Sequence, residues 1–225
     1  MSDLALARHP GAILAKDPGR EADAMTSATW RHPDRYTVDE WADLDPDPNG
    51  LRVELIDGAF SVTPAPAVAH QRFGDRLCNL IDETLWQQGR RELCAVTGIG
   101  VRVAPTFGFV PDIAVIRNPP DGAVAVPVSD LVLAVEIVSP STRKQDRMVK
   151  PAAYADAGVP YYWRVEPEKG QPPTVVCFEL VDGTYVERVA VGPGEPATIA
   201  AAPVPITLDV DKLYARLFGK GKPGR

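Results

Sequence analysis

The stretch DLVLAVEIVSP, residues 130–140, sets one carboxylate, Glu136, inside the most apolar run of the chain. A period of two puts Val132, Ala134, Glu136 and Val138 on one face and Leu131, Leu133, Val135 and Ile137 on the other. Both faces are otherwise apolar, which predicts a central strand covered on both sides, with Glu136 at least partly buried. A buried carboxylate without a partner costs several kcal/mol or gives up its charge. Its partner is either a cationic side chain or a metal ion, and the chemistry of the chain turns on which.

The flanking sequence predicts an α/β order. Residues 1–33 hold no sustained period and several Gly, Pro and Asp residues, and are expected to form a disordered leader. In YTVDEWADL, Thr37 and Glu40 have the spacing of a capping box. LRVELIDGAFSV carries Asp57-Gly58 between apolar runs, a hairpin signal. The segment from Ala69 to Gly89 sets Phe73, Leu77, Leu80, Ile81 and Leu85 on one stripe and predicts an amphipathic helix. Three strand-like runs follow, LCAVTGIGVRV, FVPDIAVI and LVLAVEIV, the last two separated by a loop over 117–129. A helical segment within 142–157 ends at Gly158, PYYWRVE reads as a buried strand, and TVVCFELVDGTYVERVA as a second Asp-Gly hairpin. DVDKLYARLF predicts a terminal helix. The expectation is one domain over 34–218, with a mixed sheet and helices, and a flexible basic tail at 219–225.

With 225 residues, 45% hydrophobic and 24% charged, the chain has the make-up of a globular protein with a sizeable core. Its three cysteines, Cys78, Cys94 and Cys177, are far apart and include no CxxC pair, which speaks against a disulfide framework and a zinc site. No basic-then-apolar signal opens the chain and no apolar run is long enough to span a bilayer, so a soluble cytoplasmic protein is expected. The formal net charge of −6 weighs against a broad phosphate-binding surface but says little about a compact site. Arg143, Lys144, Arg147 and Lys150 form a local basic cluster.

Asp112 interrupts FVPDIAVI much as Glu136 interrupts its own run. Two carboxylates on successive core strands, converging at one end of a sheet, would repel and raise each other's pKa; a hard divalent cation, Mg²⁺ or Mn²⁺, removes that repulsion. Lys150 follows Glu136 on the segment that must cross back over the sheet. Beside carboxylates it stays protonated, so it suits orienting water and stabilising charge on a phosphoryl group better than it suits a general base. Pro151 directly after it either kinks the helix or starts a new one, with Lys150 near the start.

These residues and their surroundings, YTVDEWADL, RVELIDGAF followed by His70, FVPDIAVI and AVEIVSPSTRKQDRMVKPAAYADAGVPYYWRVEP, resemble the Uma family. Its members are classed as restriction endonucleases within the PD-(D/E)XK nuclease superfamily. The resemblance covers roughly residues 36–190 and is densest over 131–167. It implies an α/β fold with a mixed central β-sheet flanked by helices, hydrolysis of phosphodiester bonds in DNA with Mg²⁺ or Mn²⁺, and a homodimer. Asp112 matches the PD aspartate and Glu136 the acidic residue of the second half-motif. Val138 stands where the superfamily's usual lysine would be, and Lys150 resembles the family's relocated lysine. By the same analogy the backbone carbonyl of Ile137 is a metal ligand, and Glu54 and His70 are peripheral members of the site.

Plainer readings stand beside these. Glu136 alone could be a structural ion-pair residue and Lys150 a solvated helix lysine. Glu54 reads as a strand residue paired with Arg52 or Arg72, His70 as a cap or surface residue, and Asp146 with Arg147 as a surface pair. Ser139, Ser141 and Thr142 read as turn and cap residues, not nucleophiles. The alternative functions are a nuclease-fold protein that binds nucleic acid or a protein partner without cleaving, and a hydrolase for another phosphate ester.

Overall fold

The computed structural model describes residues 28–30, 35–44 and 51–215. Of the leader expected over 1–33, only Ala28–Trp30 is described, as strand β1; the basic tail at 219–225 lies outside the described residues. Helix α1 (Val38–Ala42) opens with the anticipated capping box, Thr37 and Glu40 serving each other's backbone N–H groups. Strands β2 (Arg52–Ile56) and β3 (Ala59–Thr63) form the first Asp-Gly hairpin. Asp57 and Gly58 both take positive φ, 50° and 74°, the geometry of a type I′ turn. Helix α2 (Val68–Gln87) buries Phe73, Leu77, Ile81 and Leu85 on the predicted stripe, and Gly89 follows it in the left-handed region.

Two of the strand-like runs each divide between two sheets. LCAVTGIGVRV becomes β4 (Leu93–Val96) and β5 (Gly100–Ala104), separated at Gly98, whose φ is 73°. FVPDIAVI is the end of β6 (Phe107–Phe109), a break at Val110–Asp112, and β7 (Ile113–Arg117). The loop over 117–129 contains a short strand, β8 (Ala125–Pro127). Next come β9 (Leu131–Ile137), α3 (Lys150–Asp156), β10 (Tyr161–Glu168), β11 (Gln171–Val181) and β12 (Thr184–Val191), the last two joined by the second Asp-Gly turn. Strands β13 (Ala197–Ile199) and β14 (Ile206–Leu208) and helix α4 (Val210–Ala215) complete the described chain.

Six strands make a first sheet in the order β1-β3-β2-β6-β5-β8, and six make a second in the order β12-β11-β10-β9-β7-β4. The second is the expected mixed sheet: β9 and β10 run parallel through the α3 crossover, while β7 pairs antiparallel with the other edge of β9. All seven residues of β9 are buried, Glu136 included, as a strand covered on both faces requires. One face packs on α2 and α4 through Leu77, Ile81, Leu133, Val135 and Trp163. The other packs on α3 and the first sheet through Ala134, Tyr154, Tyr162, Phe109 and Val101. A Cβ on Gly108 would lie 2.3 Å from the Trp41 ring, so only glycine lets α1 lie across β6. Trp41 then donates from Nε1 to Val53 O at 2.9 Å and fastens β2 next to Glu54.

Candidate functional site

Four stretches distant in sequence meet beyond the C-terminal end of β9. Glu136 comes from β9, Arg52 and Glu54 from β2, Asp112 from the crossing between the two sheets, and His70 from the first turn of α2. The crossover after β9 adds Asp146 and Lys150. Pro151 explains the local geometry there. It has no N–H for the carbonyl of Arg147, and residues Gln145–Val149 wind as a π-helical turn in which Lys150 N–H reaches back to Gln145 O. Of the two options that Pro151 left open, the first is realised: Lys144, Val149 and Lys150 are all right-handed helical, so the helix runs on from the π-turn into α3 and takes up the proline as a local distortion instead of ending and starting again. Asp146, Lys150 and Tyr154, four residues apart, all turn inward and are buried.

Lys150 is the hub. Its ammonium lies 2.9 Å from Glu54 Oε1, 3.0 Å from Glu136 Oε2 and 3.5 Å from Asp146 Oδ1, with its side chain 2% exposed. Burial opposes the charge, yet Glu136, Glu54 and Asp146 outweigh it and raise its pKa well above the ordinary lysine value. Glu54 Oε1 also accepts from Val110 N–H at 2.9 Å. Burial pushes the Glu136 carboxyl well above the usual range, and repulsion from Asp146, Asp112 and Glu54 adds to this against the pull of Lys150. Its other oxygen meets the Tyr154 hydroxyl at 3.4 Å.

Asp112 has a separate set of partners. Oδ1 accepts from Arg52 Nη1 at 2.7 Å, Oδ2 accepts from the Ile137 N–H at 2.7 Å, and His70 Nε2 stands 3.3 Å from Oδ2. Burial alone would raise its pKa, but the His70 hydrogen bond and the charges of Arg52, His70 and Lys150 hold it far below the usual range. The expected mutual rise of Asp112 and Glu136 is therefore corrected: Glu136 rises and Asp112 falls, because Arg52 and His70 attend Asp112. His70 Nε2 also lies 3.0 Å from Ile137 O. Facing two acceptors, that nitrogen carries a hydrogen.

All seven side chains line one cavity of about 460 Å³, completed by apolar residues that include Phe73, Pro64 and Val138. Asp112, Glu136 and Lys150 thus share a site with Glu54 and His70. Glu54 pairs with Lys150, not with Arg52 or Arg72, and His70 faces inward, 17% exposed. Ser139, Ser141 and Thr142 hydrogen-bond among themselves at the turn after β9. The surface pair expected of Asp146 and Arg147 is not formed. Asp146 is buried against Lys150, and Arg147 bonds Glu166 across the neighbouring strand. Its i, i+4 spacing to Lys150 was the signal for Asp146; Arg52 on Asp112 had none, since β2 and the Asp112 turn meet only through the fold.

Residues 38–211 match the family described as Uma2, "Putative restriction endonuclease". The chain belongs to the Uma2 family. No curated protein matches the sequence. A crystal structure from Anabaena variabilis ATCC 29413, described as a putative nuclease belonging to DUF820, superposes with a TM-score of 0.57 at 20% identity, over 80% of this chain and 98% of that one. At this identity the likeness bears on the fold, which is the restriction-endonuclease-like mixed α/β fold. Uma2 membership supports a nuclease function in general.

As arranged, Lys150 and Arg52 occupy the carboxylates, and among the described residues no three His, Cys, Asp or Glu side chains converge as a metal ligand set. The donor chemistry nonetheless fits a hard divalent cation. Four buried carboxylates, Glu54, Asp112, Glu136 and Asp146, face two permanently charged bases, and Asp146 Oδ1 is buried without a hydrogen bond among the described residues. Cys78, Cys94 and Cys177 are free cysteines. No described helix is long and apolar enough to cross a membrane.

Proposed function

We propose that this Uma2 protein is a metal-dependent endonuclease hydrolysing phosphodiester bonds in DNA. The observation that carries the reading is the buried carboxylate cluster around Lys150, open to a cavity at the end of the parallel strand pair. Asp112 and Glu136, with the carbonyl of Ile137, would hold Mg²⁺ or Mn²⁺, which when bound acts as a Lewis acid and lowers the pKa of attached water. Lys150, charged and fixed by three carboxylates, directs its ammonium at the cavity, where it orients water and stabilises charge gathering on the phosphoryl oxygens. Held so far above neutrality, it does not take the proton. Glu54 and Asp146 keep the ammonium in place, and His70 holds Asp112 and the Ile137 carbonyl together. The reading carries a homodimer by analogy with the superfamily, and keeps the cytoplasmic setting expected from the sequence.

Calorimetric titration of Mn²⁺ into the wild type, Asp112→Asn and Glu136→Gln tests the metal site without knowledge of the DNA sequence recognised. Binding by the wild type and its loss in both folded variants is the expected result. Binding that is absent with and without a short duplex, or equal in all three proteins, would leave a nuclease-fold protein that binds without cleaving.

A further inference from the structure

Asp112 and Glu136 are both neutralised by bases of the chain, but not equivalently. Lys150 is buried and held by three carboxylates, so it has nowhere to go. Arg52 holds Asp112 through Nη1, and its side chain is 25% exposed against 7% for Asp112. The carboxylate itself is anchored from behind: Oδ2 takes the Ile137 N–H at 2.7 Å, with His70 beside it. Withdrawal of the guanidinium toward solvent would leave Oδ1 facing the cavity without disturbing the rest of Asp112's shell.

We propose that Arg52 is a displaceable counter-cation, occupying Asp112 Oδ1 until a divalent ion takes that oxygen and sends the guanidinium outward. The proposal rests on the metal-site reading above and names the residue that sets the affinity of that site. Arg52 is in this sense a positioning residue that competes with the ion for one oxygen. Each binding event at Oδ1 requires the ion pair to open, so the apparent affinity falls by the fraction of molecules in which Asp112 is free. A merely structural Arg52, needed to keep β2 against the Asp112 turn, predicts the opposite: its loss would loosen the ligands and weaken binding.

The experiment is Mn²⁺ calorimetry on the full chain with wild type, Arg52→Gln and Arg52→Lys. Arg52→Gln is expected to bind Mn²⁺ roughly tenfold more tightly, and Arg52→Lys, which keeps charge but loses the planar fork, to fall between. Should Arg52→Gln fail to fold, the wild type alone decides. The ¹⁵Nε–H resonance of Arg52 is then followed during Mg²⁺ titration and should move, with faster exchange with water, as the ion binds. Equal or weaker Mn²⁺ binding by folded Arg52→Gln, or an Arg52 signal unmoved while calorimetry records wild-type binding, overturns the proposal and leaves the metal site standing. No binding by any of the proteins overturns both.

Discussion

The Lys150 ammonium lies 3.0 Å from Glu136 Oε2, and both side chains are almost sealed from water. The carboxylate embedded in the apolar run of β9 therefore has a cationic partner supplied by the crossover that follows it. That partner is shared with Glu54 and Asp146, so one positive charge faces three negative ones. Such an excess is costly to fold and suited to receiving further positive charge.

Removing the hub should be severe. Lys150→Met leaves three buried carboxylates without a cation, and a broken buried pair costs about 3–5 kcal/mol. Urea denaturation at pH 7 should show a loss in that range, shrinking at pH 5 as Glu136 and Asp146, whose carboxyls burial pushes upward, take up protons. A loss below ~1 kcal/mol at pH 7 would mean that water reaches the cluster.

His70 should titrate high. Burial lowers its pKa, but its hydrogen bond to Asp112 and the Asp112 charge outweigh this, and the net direction is upward from the ordinary value of about 6.5. The sign follows: its contribution to stability is fully present below about pH 6.5 and is lost as pH rises through the folded value. Histidine NMR titration should place His70 above 6.5 in the wild type. In Asp112→Asn it should fall, because burial then dominates.

Neutralising Glu136 should stabilise the protein. A carboxyl whose folded pKa is raised contributes stability below its unfolded value of about 4.3 and loses it as pH climbs through the folded value. Glutamine keeps the neutral form at every pH, and Lys150 retains Glu54 and Asp146. Thermal melts of Glu136→Gln should match the wild type near pH 4 and exceed it at pH 8, by about 1 kcal/mol. A variant less stable than the wild type at pH 8 would mean that the Lys150 pair outweighs desolvation and repulsion.

Gly108→Ala should be destabilising through packing alone. The new methyl group would meet the Trp41 ring at 2.3–2.6 Å, and overpacking of this kind costs about 1–3 kcal/mol. Denaturation followed by tryptophan fluorescence checks it, and an unchanged midpoint would show that α1 shifts freely.

Local chemistry made much of this legible in the sequence. Asp57-Gly58 and Asp182-Gly183 announced both hairpins because a type I′ turn needs two residues at positive φ. The stripe on α2 announced its buried face, and Pro151 announced the discontinuity that became a π-helical turn. Less legible was how a single apolar run divides between sheets: Pro111 and Gly98 mark the breaks, but nothing local says that the strands on either side pair in different sheets. Asp112, Glu136 and Lys150 stood out as polar residues in apolar settings or through family resemblance. Asp146 and Arg52 did not, since an acid or base in a charged stretch reads as solvated until the tertiary structure buries it.

Whether the Lys150 cluster cleaves DNA is decided by incubating supercoiled plasmid with the wild type, Glu136→Gln and Lys150→Met, with Mg²⁺ or Mn²⁺ and with chelator. Nicked or linear DNA is expected from the wild type only when metal is present, with loss of cleavage by at least ~100-fold in both folded variants. Cleavage that persists undiminished in the variants or in chelator, or no cleavage of plasmid or oligonucleotide DNA by a wild type that binds metal, would contradict the nuclease reading.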